Sequence, residues 1–181
     1  CALIEQAGGK ATKLPLQKIV PPEDVQPVVK KLSAAAKYDW AIFCSINSVK
    51  QALALHAADA GWPANLACVG ASTARTLEEC GLTADAVPSS GSSSEDLLEL
   101  DVFEDVHEKR ILIVKGKGGR DLMAKTLSAR GAQVDELAVY RRAPVELQSA
   151  DVEALAQEHD VIVITSGEAL ERLADATESS K

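Results

Sequence analysis

The sequence predicts an α/β fold of two doubly wound parallel-sheet lobes, one inserted in the other. Three observations lead to this prediction. Apolar strands alternate with helices of about ten residues along most of the chain. A strand–serine–helix segment at residues 39–53 (DWAIFCSINSVKQAL) returns, altered, at residues 160–174 (DVIVITSGEALERLA). Two extended stretches flanked by prolines, residues 13–20 and 138–143, interrupt the alternation and are expected to pair as a link between the lobes.

These interruptions predict where the domains begin and end. We expect an inner, inserted domain over residues 21–137 and a two-stranded linker made of residues 15–20 and 138–142. The outer domain then consists of residues 1–14 and 143–181. That outer domain contains a single whole strand–loop–helix unit, so the sequence predicts that it is truncated at both ends.

The individual elements follow from short apolar runs, typical of buried strands, and from apolar residues at helical spacing. Ser92 and Glu95 fit a capping box for one helix, and Gly81 and Gly131 follow two others as expected of C-terminal caps. Strands are predicted at residues 40–44, 66–69, 85–87, 110–114, 133–140 and 161–165. Helices are predicted at residues 25–36, 49–60, 71–80, 96–105, 121–129, 152–157 and 169–176.

Composition excludes several classes of protein. The chain has 181 residues, 46% of them hydrophobic, and a net charge of -8, which argues against a nucleic-acid surface because phosphates would be repelled. No apolar run approaches the roughly 20 residues that span a bilayer, and no signal peptide is visible. The four cysteines lack CxxC spacing, which predicts reduced thiols in a cytoplasmic protein.

The loop after the strand at residues 110–114 is the strongest candidate for binding an anion. It reads KGKGGRD, so its glycines allow close backbone approach, its cations attract negative charge, and it opens a helix whose N–H groups face its mouth. It matches neither a P-loop nor GxGxxG, and an ordinary glycine-rich turn with solvated cations is the alternative. The candidate binding residues are Lys115, Gly116, Lys117, Gly118, Gly119 and Arg120.

Hydroxyl and amide side chains follow three other predicted strands. Open α/β sheets bind ligands beyond the carboxyl ends of their strands, where helix N–H groups converge. The simpler alternative for a hydroxyl at such a position is an N-cap, and Ser72 or Thr73 fits that role as well. The further candidates for substrate binding are Ser45, Asn47, Ser72, Thr73, Thr165 and Ser166.

Tyr140 is the candidate catalytic acid. Aromatic residues make up only 3% of the chain, yet this one lies in the predicted linker beside two arginines. A phenol, with a pKa near 10, stays protonated at neutral pH and can donate a proton. The alternative is a linker tyrosine that packs on a neighbouring strand. No HExxH, Cys/His cluster or GxSxG motif suggests a metal or a serine nucleophile.

In this order, the segments resemble the uroporphyrinogen-III synthase family. The matching stretches are LPLQKIVPPED, YDWAIFCSINSVKQAL, VGASTARTLEECG, ILIVKGKGGRDLMAKTLSARGAQVDELAVYRR and DVIVITSGEAL. The resemblance implies two α/β lobes joined by a two-stranded ladder, with linear hydroxymethylbilane and its eight carboxylates bound between them. It also implies a hydro-lyase of tetrapyrrole biosynthesis that needs no metal or cofactor.

The reaction implied by the resemblance begins with loss of water from the terminal hydroxymethyl group, giving an electrophilic azafulvene. The last pyrrole is attacked at its substituted carbon, and the resulting spiro intermediate reopens and closes with that ring inverted, giving uroporphyrinogen III. Tyr140 aligns with the family tyrosine proposed to assist loss of the hydroxyl. Residues aligned with positions that line the family's cleft are Ser45, Asn47, Thr73, Ser166 and residues 115–120.

Three departures from the family pattern stand out. A first strand ending in Thr-Arg-Pro is absent before Cys1, and Cys44-Ser45 replaces the usual Thr-Ser, which removes one hydroxyl. A second VGxxTAxxL-like unit is also absent after residue 181.

Two competing functions remain open at this point. One is a two-lobed, non-enzymatic sensor or binding module for an anionic small molecule, with the same loops but no acid-assisted step. The other is a nucleotide-dependent α/β enzyme, disfavoured by the lack of GxGxxG or Walker A motifs. In every case we expect a monomer that binds a small molecule and neither nucleic acid nor membrane.

Overall fold

Five strands form one sheet in the computed structural model, which describes residues 1–57, 60–147, 149–157, 159–164 and 166–179. The strands are β1 (Gln17–Val20), β2 (Trp40–Phe43), β3 (Asn65–Cys68), β4 (Arg110–Gly116) and β5 (Gln133–Pro144). Their order across the sheet is β1-β5-β4-β2-β3, and β2 pairs in parallel with both β3 and β4, as β4 does with β5. The α/β class predicted from the alternation of strands and helices is therefore confirmed.

The connections of the sheet create a topological switch point. From β2 the chain adds β3 on one side, then returns to add β4 on the other side, so that Phe43 lies between Cys68 and Val114. Loops that leave the carboxyl ends of β2 and β4 consequently diverge to opposite faces of the sheet. Open α/β sheets bind ligands in the crevice formed there.

Eight α-helices are described. They are α1 (Ala2–Gln6), α2 (Gln26–Leu32), α3 (Ile46–Leu55), α4 (Ala71–Glu79), α5 (Ser94–Leu98), α6 (Leu122–Ala129), α7 (Ser149–Gln157) and α8 (Gly167–Ser179). Helices α2, α3 and α4 cover one face of the sheet, where Phe43 and Val114 are buried. Helices α5 and α6 cover the other face, where Ile42 and Ile113 are buried. Alternate residues of the same strands thus enter two cores, as a doubly wound sheet requires.

Contacts divide the chain into two compact units. The larger unit is Ile19–Arg141, and the smaller unit consists of Cys1–Lys18 and Arg142–Lys181. Strand β1 lies beside β5 in the sheet, and the Val145 N–H donates to the Leu16 carbonyl at 3.1 Å. The role of these strands as a link between two lobes stays a prediction. The predicted domain boundaries stay predictions as well.

Several predicted elements of the larger unit have different bounds in the structure. Helix α3 begins at Ile46 and not at residue 49, because Ser45 caps it. The predicted helix at 96–105 is a short helix, α5, followed by a 3-10 turn at Asp101–Phe103, and its capping box uses Ser93 and Asp96 where Ser92 and Glu95 were expected. The strand expected at 85–87 is a single bridge from Ala86 to Ala67.

The smaller unit contains helices α1, α7 and α8. The predicted strand at 161–165 is wrong for its described residues, since 161–164 join no ladder there. A strand needs a neighbour to receive its backbone hydrogen bonds, and the apolar side chains of these four residues are 38–76% exposed. No described helix combines the length and apolar surface that a membrane crossing requires.

Candidate functional site

Ser45 stands at the carboxyl end of β2 and caps helix α3 through a reciprocal pair of bonds with Ser48. The Ser45 Oγ accepts the Ser48 N–H at 3.1 Å, while the Ser48 Oγ accepts the Ser45 N–H at 3.0 Å. The Ser48 hydroxyl also donates to the Ser45 carbonyl at 2.6 Å and is fully buried. This capping box fixes the Ser45 hydroxyl at the switch point of the sheet.

A bulge in β5 sets the direction of Tyr140. Lys115 pairs with Ala138 but the next residue, Gly116, pairs with Tyr140, so Val139 is the extra residue on β5. Val139 and Tyr140, although adjacent, both enter the core on the side of α3. Regular alternation would send them to opposite faces; the bulge therefore turns the Tyr140 ring toward the end of β2.

The two hydroxyls meet at the switch point. The Ser45 Oγ lies 3.2 Å from the Tyr140 Oη, and either group can be the donor. Because the Ser45 Oγ already accepts the Ser48 N–H, its own proton can be directed at the phenol oxygen. The Tyr140 side chain is 3% exposed, so its position is set by packing.

The glycine-rich loop, residues 115–121, closes over the phenol. A Cβ added at Gly116 would lie 2.5 Å from the Tyr140 Cζ and 2.9 Å from its Oη, so that only glycine fits there. The Lys117 N–H donates to the Tyr140 carbonyl at 2.7 Å. Gly118 and Gly119 have φ angles of 84° and 87°, the left-handed region that glycine adopts without strain. The structure thus brings Ser45, Tyr140 and this loop together.

Each cation of the glycine-rich loop is paired with a carboxylate in the larger unit. The Lys115 ammonium lies 2.7 Å from Glu136 on β5, and the Lys117 ammonium lies 3.3 Å from Glu23. The Arg120 guanidinium binds both carboxylate oxygens of Glu95, at the start of α5. Arg120 lowers the pKa of Glu95 chiefly through this hydrogen bond. Lys117 and Arg120 stay exposed to solvent beside their partner acids, and those acids were not foreseen.

Cys44 precedes Ser45 and is a neutral thiol in the site. Burial raises its pKa to about 11, against the opposing effect of the Lys115 ammonium. At neutral pH a thiol with this pKa stays protonated, which disfavours it as a nucleophile. Across the described residues, no group of three or more His, Cys, Asp or Glu side chains is arranged to hold a metal ion.

The remaining candidates of the larger unit lie on helices α3 and α4. Asn47 is half-buried in the first turn of α3. The expectation that Ser72 or Thr73 caps α4 is wrong, because the N-cap is Gly70 and the two residues lie inside the first turn. A side chain at Gly70 would overlap Ser92, so only glycine allows this close approach. Ser72 is exposed, whereas Thr73 is 4% exposed.

In the smaller unit, Ser166 plays the same local role as Ser45. Its Oγ accepts the Ala169 N–H at 3.2 Å and so caps α8, and the residue is exposed. Thr165 lies outside the described residues. Ser166 also borders a cavity of about 330 Å³ within this unit, lined mainly by apolar side chains.

Sequence reasoning missed Ser48 and the three acids that pair with the glycine-rich loop. Ser48 had a signal, since serines three residues apart at the start of a helix suit a reciprocal cap. Glu23, Glu95 and Glu136 had none, because residues distant in sequence meet only through the fold.

Comparison with known proteins gives a consistent result. The family model described as uroporphyrinogen-III synthase HemD matches residues 1–181. The chain is 35% identical over 150 residues to uroporphyrinogen-III synthase of Proteus mirabilis, covering 80% of this chain and 74% of that protein. It is 33% identical over 172 residues to the synthase of Escherichia coli, covering 92% of this chain and 70% of that protein.

Solved structures show the same fold. A mutant uroporphyrinogen III synthase from Thermus thermophilus aligns with a TM-score of 0.64 at 22% identity, covering 97% of this chain and 71% of that chain. Uroporphyrinogen-III synthetase from Helicobacter pylori aligns with a TM-score of 0.59 at 16% identity, covering 90% of this chain and 70% of that chain.

Proposed function

The chain belongs to the uroporphyrinogen-III synthase family, and we propose that it catalyses the reaction for which that family is named. The substrate is hydroxymethylbilane, and the product is uroporphyrinogen III, formed with loss of water and inversion of the last pyrrole ring. The proposed activity is that of a hydro-lyase of tetrapyrrole (porphyrin and haem) biosynthesis. Carbon–oxygen and carbon–carbon bonds change without net oxidation or reduction, so no redox cofactor enters the balance.

The hydrogen-bonded pair of Ser45 and Tyr140 is the observation that carries this proposal. The terminal hydroxyl of the substrate must leave as water, and a neutral phenol beside it can supply the proton. The pyrrole nitrogen pushes its electron pair toward the breaking carbon–oxygen bond, and Ser45 donates to the phenol oxygen as it becomes negative. When the macrocycle closes, the unsubstituted carbon of the last pyrrole ring forms the new bond and loses its proton. That proton returns to Tyr140 and restores the phenol.

The glycine-rich loop supports binding of the substrate's carboxylates. Its cations, Lys115, Lys117 and Arg120, and its backbone N–H groups, notably at Gly118 and Gly119, stand at the same edge of the sheet as Tyr140. Asn47, Ser72 and Thr73 begin the helices that follow β2 and β3, and we assign them to the same role, whereas the Ser45 hydroxyl is directed at Tyr140. Thr165 and Ser166 are proposed as the contribution of the smaller unit. Restraining a flexible linear chain near the geometry of ring closure lowers the entropic part of the barrier.

Incubation with hydroxymethylbilane, followed by chromatographic separation of the isomers, tests this proposal. We expect the III isomer with the unaltered protein, and a rate about 10²-fold lower with Tyr140→Phe, as for removal of a general acid. Tyr38→Phe is the matched control, because Tyr38 binds Asp135 at the other end of the strands. Formation of only the I isomer at the background rate would favour a non-enzymatic sensor for an anionic small molecule.

A further inference from the structure

The ion pair between Arg120 and Glu95 has the geometry that a substrate carboxylate would take. We propose that Glu95 is a stand-in for that carboxylate: it occupies the Arg120 guanidinium in the resting protein and is displaced when the polyanionic substrate binds. Glu95 is then a positioning residue that sets affinity. The identity of the ligand rests on the function proposed above, whereas the exchange itself can be tested with any octacarboxylate of similar shape.

The bidentate contact is the first argument. Two nitrogens of Arg120 reach the two oxygens of Glu95, with the second contact at 3.0 Å. A guanidinium presents parallel donors in a fixed plane, so one edge accepts one carboxylate at a time. Any substrate carboxylate that uses the same edge must replace Glu95.

Exposure is the second argument, because it separates this pair from the other two in the loop. The Lys115 side chain is 16% exposed, so its bond to Glu136 is held within the structure. Arg120 and Glu95 are 66% and 44% exposed, which lets a ligand approach from solvent. Lys117 and Glu23 are also exposed, but a single contact at 3.3 Å lacks the bidentate geometry.

The local anchoring of Glu95 is the third argument. Its neighbour Asp96 accepts the Ser93 N–H at 2.8 Å and its hydroxyl at 2.6 Å, which fixes the start of α5. The Glu95 carboxylate also interacts with its own backbone N–H and with the Ser93 side chain. The capping box itself is closed by Asp96, so Glu95 can release Arg120 without unwinding the helix. The acid therefore holds the guanidinium in a preformed orientation at small cost, since exposed pairs are weak.

An exchange of carboxylates makes a specific prediction about salt. In the unaltered protein a substrate carboxylate gains Arg120 while Glu95 loses it, so the number of ion pairs is unchanged. In Glu95→Gln the same binding event adds one net ion pair. The dissociation constant should therefore rise more steeply with ionic strength in the variant, because salt screens each additional exposed pair.

The test compares Glu95→Gln with the unaltered protein and with Glu99→Gln, which removes one exposed negative charge from the end of the same helix. We expect Glu95→Gln to lower the KM for hydroxymethylbilane about two- to fivefold, with a smaller change in kcat. We expect the same factor in the dissociation constant of uroporphyrin III, an octacarboxylate titrated by fluorescence. Glu99→Gln should leave both constants near their original values. In an Arg120→Gln background, Glu95→Gln should have no effect.

Each alternative outcome has a definite meaning. A rise in KM and in the dissociation constant on Glu95→Gln would show that Glu95 orders Arg120 and stays bound, which overturns the exchange. If Glu99→Gln lowered the KM and the dissociation constant as much as Glu95→Gln does, the effect would come from net charge alone. That result would also overturn the exchange. If the protein makes no III isomer but uroporphyrin III still binds more tightly to Glu95→Gln, the proposed function fails and the exchange stands.

Discussion

Gly116→Ala is the sharpest perturbation of the site, because it adds one carbon where the phenol already lies. The new Cβ would stand 2.5 Å from the Tyr140 Cζ and 2.6 Å from its Cε2, whereas ordinary contacts lie at 3.4–4 Å. One of the two groups must therefore move by about 1 Å. Gly116 is held in the β4–β5 ladder and Tyr140 in the core, so neither can move without a cost in free energy.

The size of the effect follows from that displacement. Overpacking of this kind typically destabilises a core by about 1–3 kcal/mol. A ring shifted by about 1 Å away from the loop would also change the 3.2 Å contact between the Tyr140 and Ser45 hydroxyls. A misplacement of about 1 Å at reacting groups can lower a rate about 10²-fold. We expect both a lower free energy of unfolding and a much slower formation of the III isomer.

Urea denaturation and isomer analysis measure the two effects separately. Gly61→Ala is the control, because its nearest neighbour, the Ala36 Cβ, lies at an ordinary 3.4 Å. That variant should keep wild-type stability within about 1 kcal/mol and wild-type turnover. If Gly116→Ala behaved like Gly61→Ala in both measurements, the close packing of the loop on Tyr140 would be refuted.

Two further predictions concern titration and thiol chemistry. Bonds from Lys31 and Tyr38 lower the pKa of Asp135 below its ordinary 3.8, so its contribution to stability is present above that pH and is lost as the pH falls through the folded-state value. Asp135→Asn should therefore flatten the acid side of a plot of unfolding free energy against pH; an unchanged slope in urea titrations would contradict this. Because burial raises the pKa of Cys44 to about 11, iodoacetamide at pH 8 should alkylate it far more slowly than the exposed Cys80. Equal rates by peptide mass spectrometry would count against that burial.

Local patterns were sufficient to predict most of the larger unit. The strands around Ile42, Ala67 and Ile113 lie in continuous apolar runs, and runs of that kind occur where both faces of a strand are covered. Helix ends were less predictable, since they depend on caps. The bonds of Ser45 start α3 earlier than apolar spacing indicates, and Asp96 rather than Glu95 closes the cap of α5.

The chemistry of the site depends on contacts that no local pattern contains. The loop after β4 was proposed as a binding loop from its glycines and cations, and Tyr140 as an acid from its rarity and position, and both stay predictions. The loop contacts Tyr140 through Gly116, because the bulge in β5 places Tyr140 opposite that glycine. The sequence AVYRRA contains no pattern that predicts the bulge. The strand prediction at residues 161–164 was wrong for a different reason. An apolar run forms a strand only where another strand lies beside it.

In the proposed reaction, a chain with a net charge of -8 must bind and release a polyanion. Substrate and product of the proposed reaction carry the same eight carboxylates, so total charge cannot distinguish the two. If binding exchanges Glu95 for a substrate carboxylate, the gain depends on how well that carboxylate fits the Arg120 plane. Substrate and product both bring carboxylates to Arg120, and Glu95 competes with either of them for the guanidinium. An acid of the protein itself would then assist release of the product.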